Sequence, residues 1–396
     1  MQRQKKVILL ALTLVLIATA SSATILSINS GHARVAQNVN LIWEHTYGGT
    51  GDDRAFHAAA VEDGFLVVGS STSLENNRTT AWALRLDSKG EQVWNRTFSQ
   101  DAGSEFRQVL ALQDGFLLVG TVFLGSDGGD GLVVRVDEDG NVAWNVTLRA
   151  RDGLNKLFSA SLSGDCCYLA GLTSAAGSSD SDVWLVKLDA DGDILWNMTF
   201  GGPSGDAGRA VAAFEGGCVV AGYTDVTGNG DYDFLVLRVN GSSGLVWSKR
   251  FGGLQSDKAY TVATCADGFV VSGDTRSVGS GDADAWLIKV GLDGDLLWER
   301  AAGGSGFDAP TCLSAMSGGG FVVGGTTFSF GNGQRDFWLF AVADDGEVLW
   351  SGTVGRGGFE EAYAILDCGE GEFAMAGWTS SIGVGKYDFY VVKLSR

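Results

Sequence analysis

The stretch VWLVKLDADGDILWNMTFGG, residues 183–202, decides the reading of the whole chain. Apolar residues alternate with others, the chain turns through D-A-D-G, and the alternation resumes as far as Trp196 before a pair of glycines. Alternation of period two is the mark of β-strands, and glycine supplies a positive φ at little cost in a tight hairpin. Nearly the same text stands at residues 132–148, LVVRVDEDGNVAWNVTL. Seven tryptophans, Trp43, Trp94, Trp144, Trp196, Trp247, Trp298 and Trp350, follow one another at gaps of 51, 50, 52, 51, 51 and 52 residues. Self-similarity at that period means units that cannot bury their apolar faces alone and must stack on their neighbours.

Each unit reads as four short strands. The first is a small-residue stretch such as RAVAAFE (209–215), and the second follows a DG or GG turn, as in GFLLVGT (115–121). The third opens at an aspartate two residues before an aromatic: Asp182 before Trp184, Asp284 before Trp286, Asp336 before Trp338 and Asp388 before Tyr390. The fourth holds the periodic tryptophan. β-Branched and aromatic strands, Gly-rich turns and only two prolines predict an all-β chain. Seven four-stranded units of about fifty residues predict a seven-bladed β-propeller over residues 41–396. The chain ends in a third-type strand, DFYVVKLS (388–395), and the repeat region starts with a fourth-type strand, LIWEHTYGG (41–49). Pairing of those two segments in one blade would close the ring.

The pattern D-x-W-x-x-K-x-D-x-x-G-x-x-x-W, followed by GG and a DGG-like turn with G-x-T, resembles the repeats of exported archaeal and bacterial surface propellers, similar in style to quinoprotein-like and kelch-type repeats. The resemblance covers residues 41–396 and implies the fold more strongly than any activity. Local departures are Thr80 in place of the aspartate before Trp82, Asn155 in an otherwise acidic series, and the longer hairpin NGSSG (240–244).

Export is the second expectation. MQRQKK precedes an uncharged stretch from Val7 to Gly31 whose core, VILLALTLVLIATA, has the character of a signal peptide. Two readings stay open: a signal peptide over residues 1–23, or an uncleaved anchor over residues 7–28, which is long enough to span a bilayer. Either way the cationic start stays cytoplasmic and the propeller faces the exterior, at the outer face of the membrane or beyond it. Residues 24–40 are expected to be a polar tether without strand or helix. Five sequons agree with that address: Asn77, Asn95, Asn145, Asn197 and Asn240. Asn95, Asn145 and Asn197 directly follow a repeat tryptophan, so alternation should turn them to solvent and the indoles inward.

A formal net charge of −19 argues against nucleic acid, which needs a basic patch. Of six cysteines, most fall at packed strand positions and read as small core hydrophobes, with Cys218 and Cys265 as the candidate pair if the exterior oxidises any. Histidine is confined to His32, His45 and His57, so Ser-His, Cys-His and His-rich metal chemistry have little material.

Two acidic series remain. Ten or eleven residues after each tryptophan stand Asp53, Glu105, Asn155, Asp206, Asp257, Asp308 and Glu360, expected to circle the channel mouth. Their six carboxylates could take a hard cation such as calcium, or accept hydrogen bonds from amides of their own turns. The second series lies in loops such as GSSDSD (177–182), GNGDYD (228–233) and GSGDAD (279–284), on the same face. Aromatic candidates for ligand contact there are Trp378, Tyr223, Phe328 and Phe330. The sequence therefore reads as an exported binding or structural module, not an enzyme, with a cell-surface glycan or protein as partner. The competing reading is an extracellular hydrolase, lyase or quinoprotein-like enzyme that uses carboxylates at the channel mouth.

Overall fold

A computed structural model describes residues 24–27, 39–74, 78–100, 102–124, 128–225 and 227–396. The leader or anchor expected over residues 1–23 or 7–28, most of the expected tether, and Asn77 lie outside the described residues.

Twenty-eight strands form seven antiparallel blades of four. In blade 4 the strands Asp206–Phe214, Gly217–Thr224, Asp233–Asn240 and Leu245–Phe251 run from the channel outward. The last blade takes its inner three strands from the C-terminus and its outer strand, Asn40–Tyr47, from the start of the repeat region. Asn40 pairs with Ser395 and Tyr47 with Phe389, as the ends of the sequence predict. Closure is strengthened by Glu44, which accepts from Tyr390 Oη at 2.6 Å and forms an ion pair with Arg356 of the preceding blade.

Seven apolar clusters hold the ring together, one at each junction between neighbouring blades. The cluster between blades 3 and 4, for example, packs Tyr168, Val183 and Leu185 against Val211, Val220 and Leu237. Cysteine behaves as a core residue here, and all six thiols are free. The tentative Cys218–Cys265 pairing fails because the two side chains face opposite ways: Cys218 enters the junction of blades 3 and 4, Cys265 that of blades 5 and 6. Burial pushes the Cys218 and Cys312 thiols up to about 12, which leaves them inert as nucleophiles.

The periodic tryptophans do a different job from the one alternation suggests. Only Trp350 among them is fully buried; the others stay half-buried, and the sealed indoles are those of third strands, such as Trp184 and Trp338. The other six outer-strand indoles lie instead on the third-to-fourth hairpin of the next blade, whereas Trp350, whose neighbour has no such hairpin, packs on Phe373 and Arg396. Nε1 of Trp94 donates to Glu138 O at 3.1 Å, that of Trp247 to Leu292 O at 3.0 Å and that of Trp298 to Asp344 O at 2.9 Å. The hairpin glycines beneath them, such as Gly140 (φ 78°) and Gly294 (φ 88°), need the left-handed conformation, and an added Cβ would meet the indole at about 3 Å. The periodic Trp and the D-x-x-G turn are thus two halves of one contact between blades. Asn95, Asn145 and Asn197 are exposed beside these indoles, whereas Asn240 Oδ1 accepts from Ser242 N and Gly244 N within its own turn.

One stretch of the expected tether is a strand: Thr24–Ser27 runs parallel to the outer strand of blade 5, Thr24 opposite Arg300 and Ser27 opposite Gly303. An outer strand presents unpaired backbone groups, and T-I-L is a stretch of good strand formers.

Candidate functional site

The two acidic series meet, but not at the channel mouth. Asp53, Asp206, Asp257, Asp308 and Glu360 open the innermost strands and are at most 2% exposed, because their side chains turn into the blade junctions. Each faces the third-strand aspartate of the preceding blade across a glycine. An added Cβ at Gly48 would collide with Asp388 and Asp53, at Gly201 with Asp182 and Asp206, and at Gly252 with Asp233 and Asp257. Gly303 separates Asp284 from Asp308, and Gly355 separates Asp336 from Glu360, in the same way.

Turn and strand donors occupy most oxygens of these acids. Asp308 accepts from Gly304 N at 2.7 Å, Thr327 Oγ1 at 2.5 Å and Ser329 Oγ at 2.6 Å, and Asp257 repeats that set with Gly253, Thr275 and Ser277. Glu360 accepts from Arg356 N, Thr379 Oγ1 and Ser381 Oγ. Third-strand acids accept amides of their own loops, Gly333 N to Asp336 at 3.0 Å and Gly385 N to Asp388 at 2.9 Å. Burial, with the facing carboxylate adding to it, raises the pKa of Asp284, Asp336 and Asp388. Two carboxylates so placed can share a proton. Among the described residues no group of three or more His, Cys, Asp or Glu is arranged to hold a metal ion, and two carboxylates fall short of the six to eight oxygens typical of calcium.

Two junctions depart from this pattern. Glu105 does not belong to the junction series: register places Ser104, opposite Val122, where Asp206 stands opposite Thr224. At that junction the third-strand residue is Thr80, the separating residue is Ser99, and Ser104 Oγ donates to Phe98 O while accepting from Ala81 N. At the next junction Asn155 Nδ2 donates to Asp130 Oδ1 at 3.2 Å, and Arg149 replaces the glycine and grips Asp130 at 2.7 Å. The glycine is kept only where both acids are, and at the second of these junctions Asp130 remains without either.

The channel itself is lined by residues that no spacing argument singled out. Every innermost strand carries a β-bulge, between Ala55 and His57 in blade 1 and at the same place in the other six. The extra residue is aimed into the channel. These residues are Phe56, Arg107, Phe158 and Arg209 in the first four blades, then Tyr260, Thr311 and Tyr363, around a cavity of about 560 Å³. Arg107 lies 3.9 Å from the Phe56 ring centroid and Arg209 4.1 Å from that of Phe158, and Phe56 meets Tyr363 edge-on at 5.4 Å. Three carboxylates reach this region: Glu105 is held in a fork by Arg107 at 2.8 and 2.9 Å, Glu361 by Arg335 and Tyr363 Oη, and Asp274, its pKa raised by burial, lies against Tyr260. His57 borders the cavity with a sealed Nδ1, and burial pushes its pKa down to about 4.

At the loop end of the channel, three of the four aromatic candidates form cation–aromatic clusters. Arg54 packs on Trp378 and Tyr387, Lys258 on Tyr223 and Tyr232, and Arg335 on Phe328. Phe328 is 41% exposed and Trp378 only 6%. Phe330 instead turns inward onto Trp338.

Solved structures similar to this one are propellers of unrelated roles. The WD40 β-propeller domain of Doa1 aligns with TM-score 0.55 at 13% identity, over 91% of this chain and 97% of that one. The periplasmic gluconolactonase PpgL of Pseudomonas aeruginosa aligns with TM-score 0.51 at 14% identity, over 83% and 98%. A puromycin hydrolase mutant complexed with PGG aligns with TM-score 0.53 at 16% identity, over 87% of this chain but only 52% of that one. At such identities these likenesses speak for the fold alone. No curated protein matches the sequence significantly. A family model does, over residues 30–277, well over half the chain. The chain belongs to the propeller family described as outer membrane protein assembly factor BamB.

Proposed function

We propose that this protein is an exported propeller that binds a ligand at its channel and loop face, and that it is not an enzyme. One observation carries the reading. Five of the seven junctions repeat one chemistry, while the seven bulge residues that line the channel vary from blade to blade between phenylalanine, arginine, tyrosine and threonine. Variation at every position lining one cavity of a repeat protein is what a specific binding surface requires, since ligand sites are concave, largely apolar and carry few placed polar groups. Acid–base catalysis finds little support there: Glu105 and Glu361 are bound to arginines, and His57 has one ring nitrogen sealed. The apolar N-terminal segment and the exposed Asn95, Asn145 and Asn197 support an extracellular address with glycans on the outer strands. A cell-surface glycan or protein is the partner class.

The test is capture from the surface of the producing cells by the full chain, compared with Phe328→Ala and Trp378→Ala. We expect a glycan or protein to be retained by the native chain and lost with both variants, the exposed Phe328→Ala at nearly unchanged melting temperature and the buried Trp378→Ala with some loss of stability. Reproducible turnover of a glycoside, polyuronate or lactone, abolished by Glu361→Gln in a folded protein, would replace this reading with the enzymatic one.

A further inference from the structure

We propose that the central channel is an anion site, in which Arg209 binds the carboxylate or phosphate group of a small molecule whose body packs among the aromatic bulge residues. The inference deepens the binding-module reading by naming a ligand class, and it rests on charge pairing inside the cavity. Three arginines line it. Arg107 is committed to Glu105 and Arg335 to Glu361. Arg209 has neither a hydrogen bond nor a carboxylate partner among the described residues, and its Nε is sealed from solvent. It is held by ring faces, 4.1 Å from the Phe158 centroid and 5.8 Å from that of Tyr260.

A guanidinium that stacks on aromatic rings keeps its edge free, and that edge carries donors spaced to grip a carboxylate or phosphate in a fork. Arg209 is half-buried against ring faces with no carboxylate beside it, and a cavity that holds a cation without a counter-charge favours an anion as its occupant. The contrast with the rest of the chain sharpens the point. The formal net charge is −19, and carboxylates crowd against one another at five junctions, yet none approaches Arg209. The remaining wall suits an organic anion: Phe158, Tyr260 and Phe56 offer faces, Thr261 offers a polar edge, and a cavity of about 560 Å³ has room for a drug-sized or disaccharide-sized molecule.

Titration calorimetry and thermal shift on the full chain test this with benzoate, digalacturonate and inorganic phosphate, set against benzamide and the methyl ester of digalacturonate. At least one anionic probe should bind and raise the melting temperature with concentration, weakening with salt, while its neutral counterpart does neither. Which anion succeeds identifies a carboxylate or a phosphate source. Arg209→Gln should weaken that probe about tenfold or more, and Arg209→Lys should fall between, since it keeps charge but loses the fork. Glu105→Gln, which frees Arg107, should tighten it severalfold and guards against misfolding of the Arg209 variants. Absence of binding by all three anions at about 10 mM, equal binding of neutral analogues, or affinity unchanged in folded Arg209→Gln would overturn the anion site. Capture of a partner by the loop face would survive that result, so the two readings fail separately.

Discussion

At the scale of single residues, the junction carboxylates and His57 pull stability in opposite directions with pH. Asp336 has one oxygen, Oδ1, buried without a donor, and its pKa is raised by burial and by Glu360. A carboxyl whose pKa rises on folding gives stability at low pH that is lost as pH climbs through the raised value. At neutral pH the pair is therefore strained, and the junction of blades 2 and 3 displays a remedy, the amide of Asn155 donating to Asp130. Asp336→Asn should stabilise the protein by about 1 kcal/mol at pH 7, an advantage that fades as pH falls towards 4; urea melts at both pH values measure it. His57 runs the other way. Its folded pKa of about 4 lies below the ordinary 6.5, so the unfolded chain takes up the proton first and stability falls as pH drops through that window. Gln108, its counterpart in blade 2, bridges to both backbone groups of Ala160. His57→Gln should remove about 2 kcal/mol of the loss between pH 7 and 5, seen as a flatter dependence of melting temperature on pH.

At the scale of strands and turns, the sequence displayed what repeats and concealed what does not. Trp247 and Gly294 were legible as a period and a turn residue, but their mutual contact was not, because it joins residues of neighbouring units. Trp247→Phe should cost about 1 kcal/mol by removing one of the two donors to Leu292 O, Arg238 Nη1 being the other, and Gly294→Ala should cost more, since φ is 88° there and the new methyl meets Trp247 and Lys249. Chemical denaturation of the two variants checks the order. The acidic series was legible except in blade 2. A strict count of ten from Trp94 reaches Ser104, and preference for an acid selects Glu105 instead. The channel residues were illegible for a physical reason: a bulge inserts one residue into the alternation, so Arg209 falls on neither face that period two predicts. The small residue just before it, such as Gly208 or Ala259, was the available signal.

At the scale of the whole molecule, closure depends on one strand. Asn40–Tyr47 completes the last blade, and its Tyr47 Oη donates to Gly90 O of the first at 2.5 Å. Deleting residues 40–47 bares a strand edge and removes Trp43, and should lower stability by at least about 3 kcal/mol with loss of a single cooperative transition. A melt indistinguishable from the native one would show that the ring does not need this strand. The junctions also make a prediction that spans blades. Gly355→Ser should be destabilising by about 2 kcal/mol or more, because its side chain enters the space between Asp336 and Glu360. The same change should be nearly neutral in a chain that also carries Asp336→Thr and Glu360→Ser, the set found at Thr80, Ser99 and Ser104; a thermodynamic cycle gives the coupling.

That coupling puts a direction on the history of the ring. A blade descended by copying from its neighbours starts with the glycine and both acids. The glycine cannot go first, since any side chain there meets two carboxylates. An acid has to leave before it, and once a bulkier residue has settled in the gap, the lost carboxylate cannot return. The two atypical junctions are in that sense one-way exits from the common design, and the five others are still free to take them.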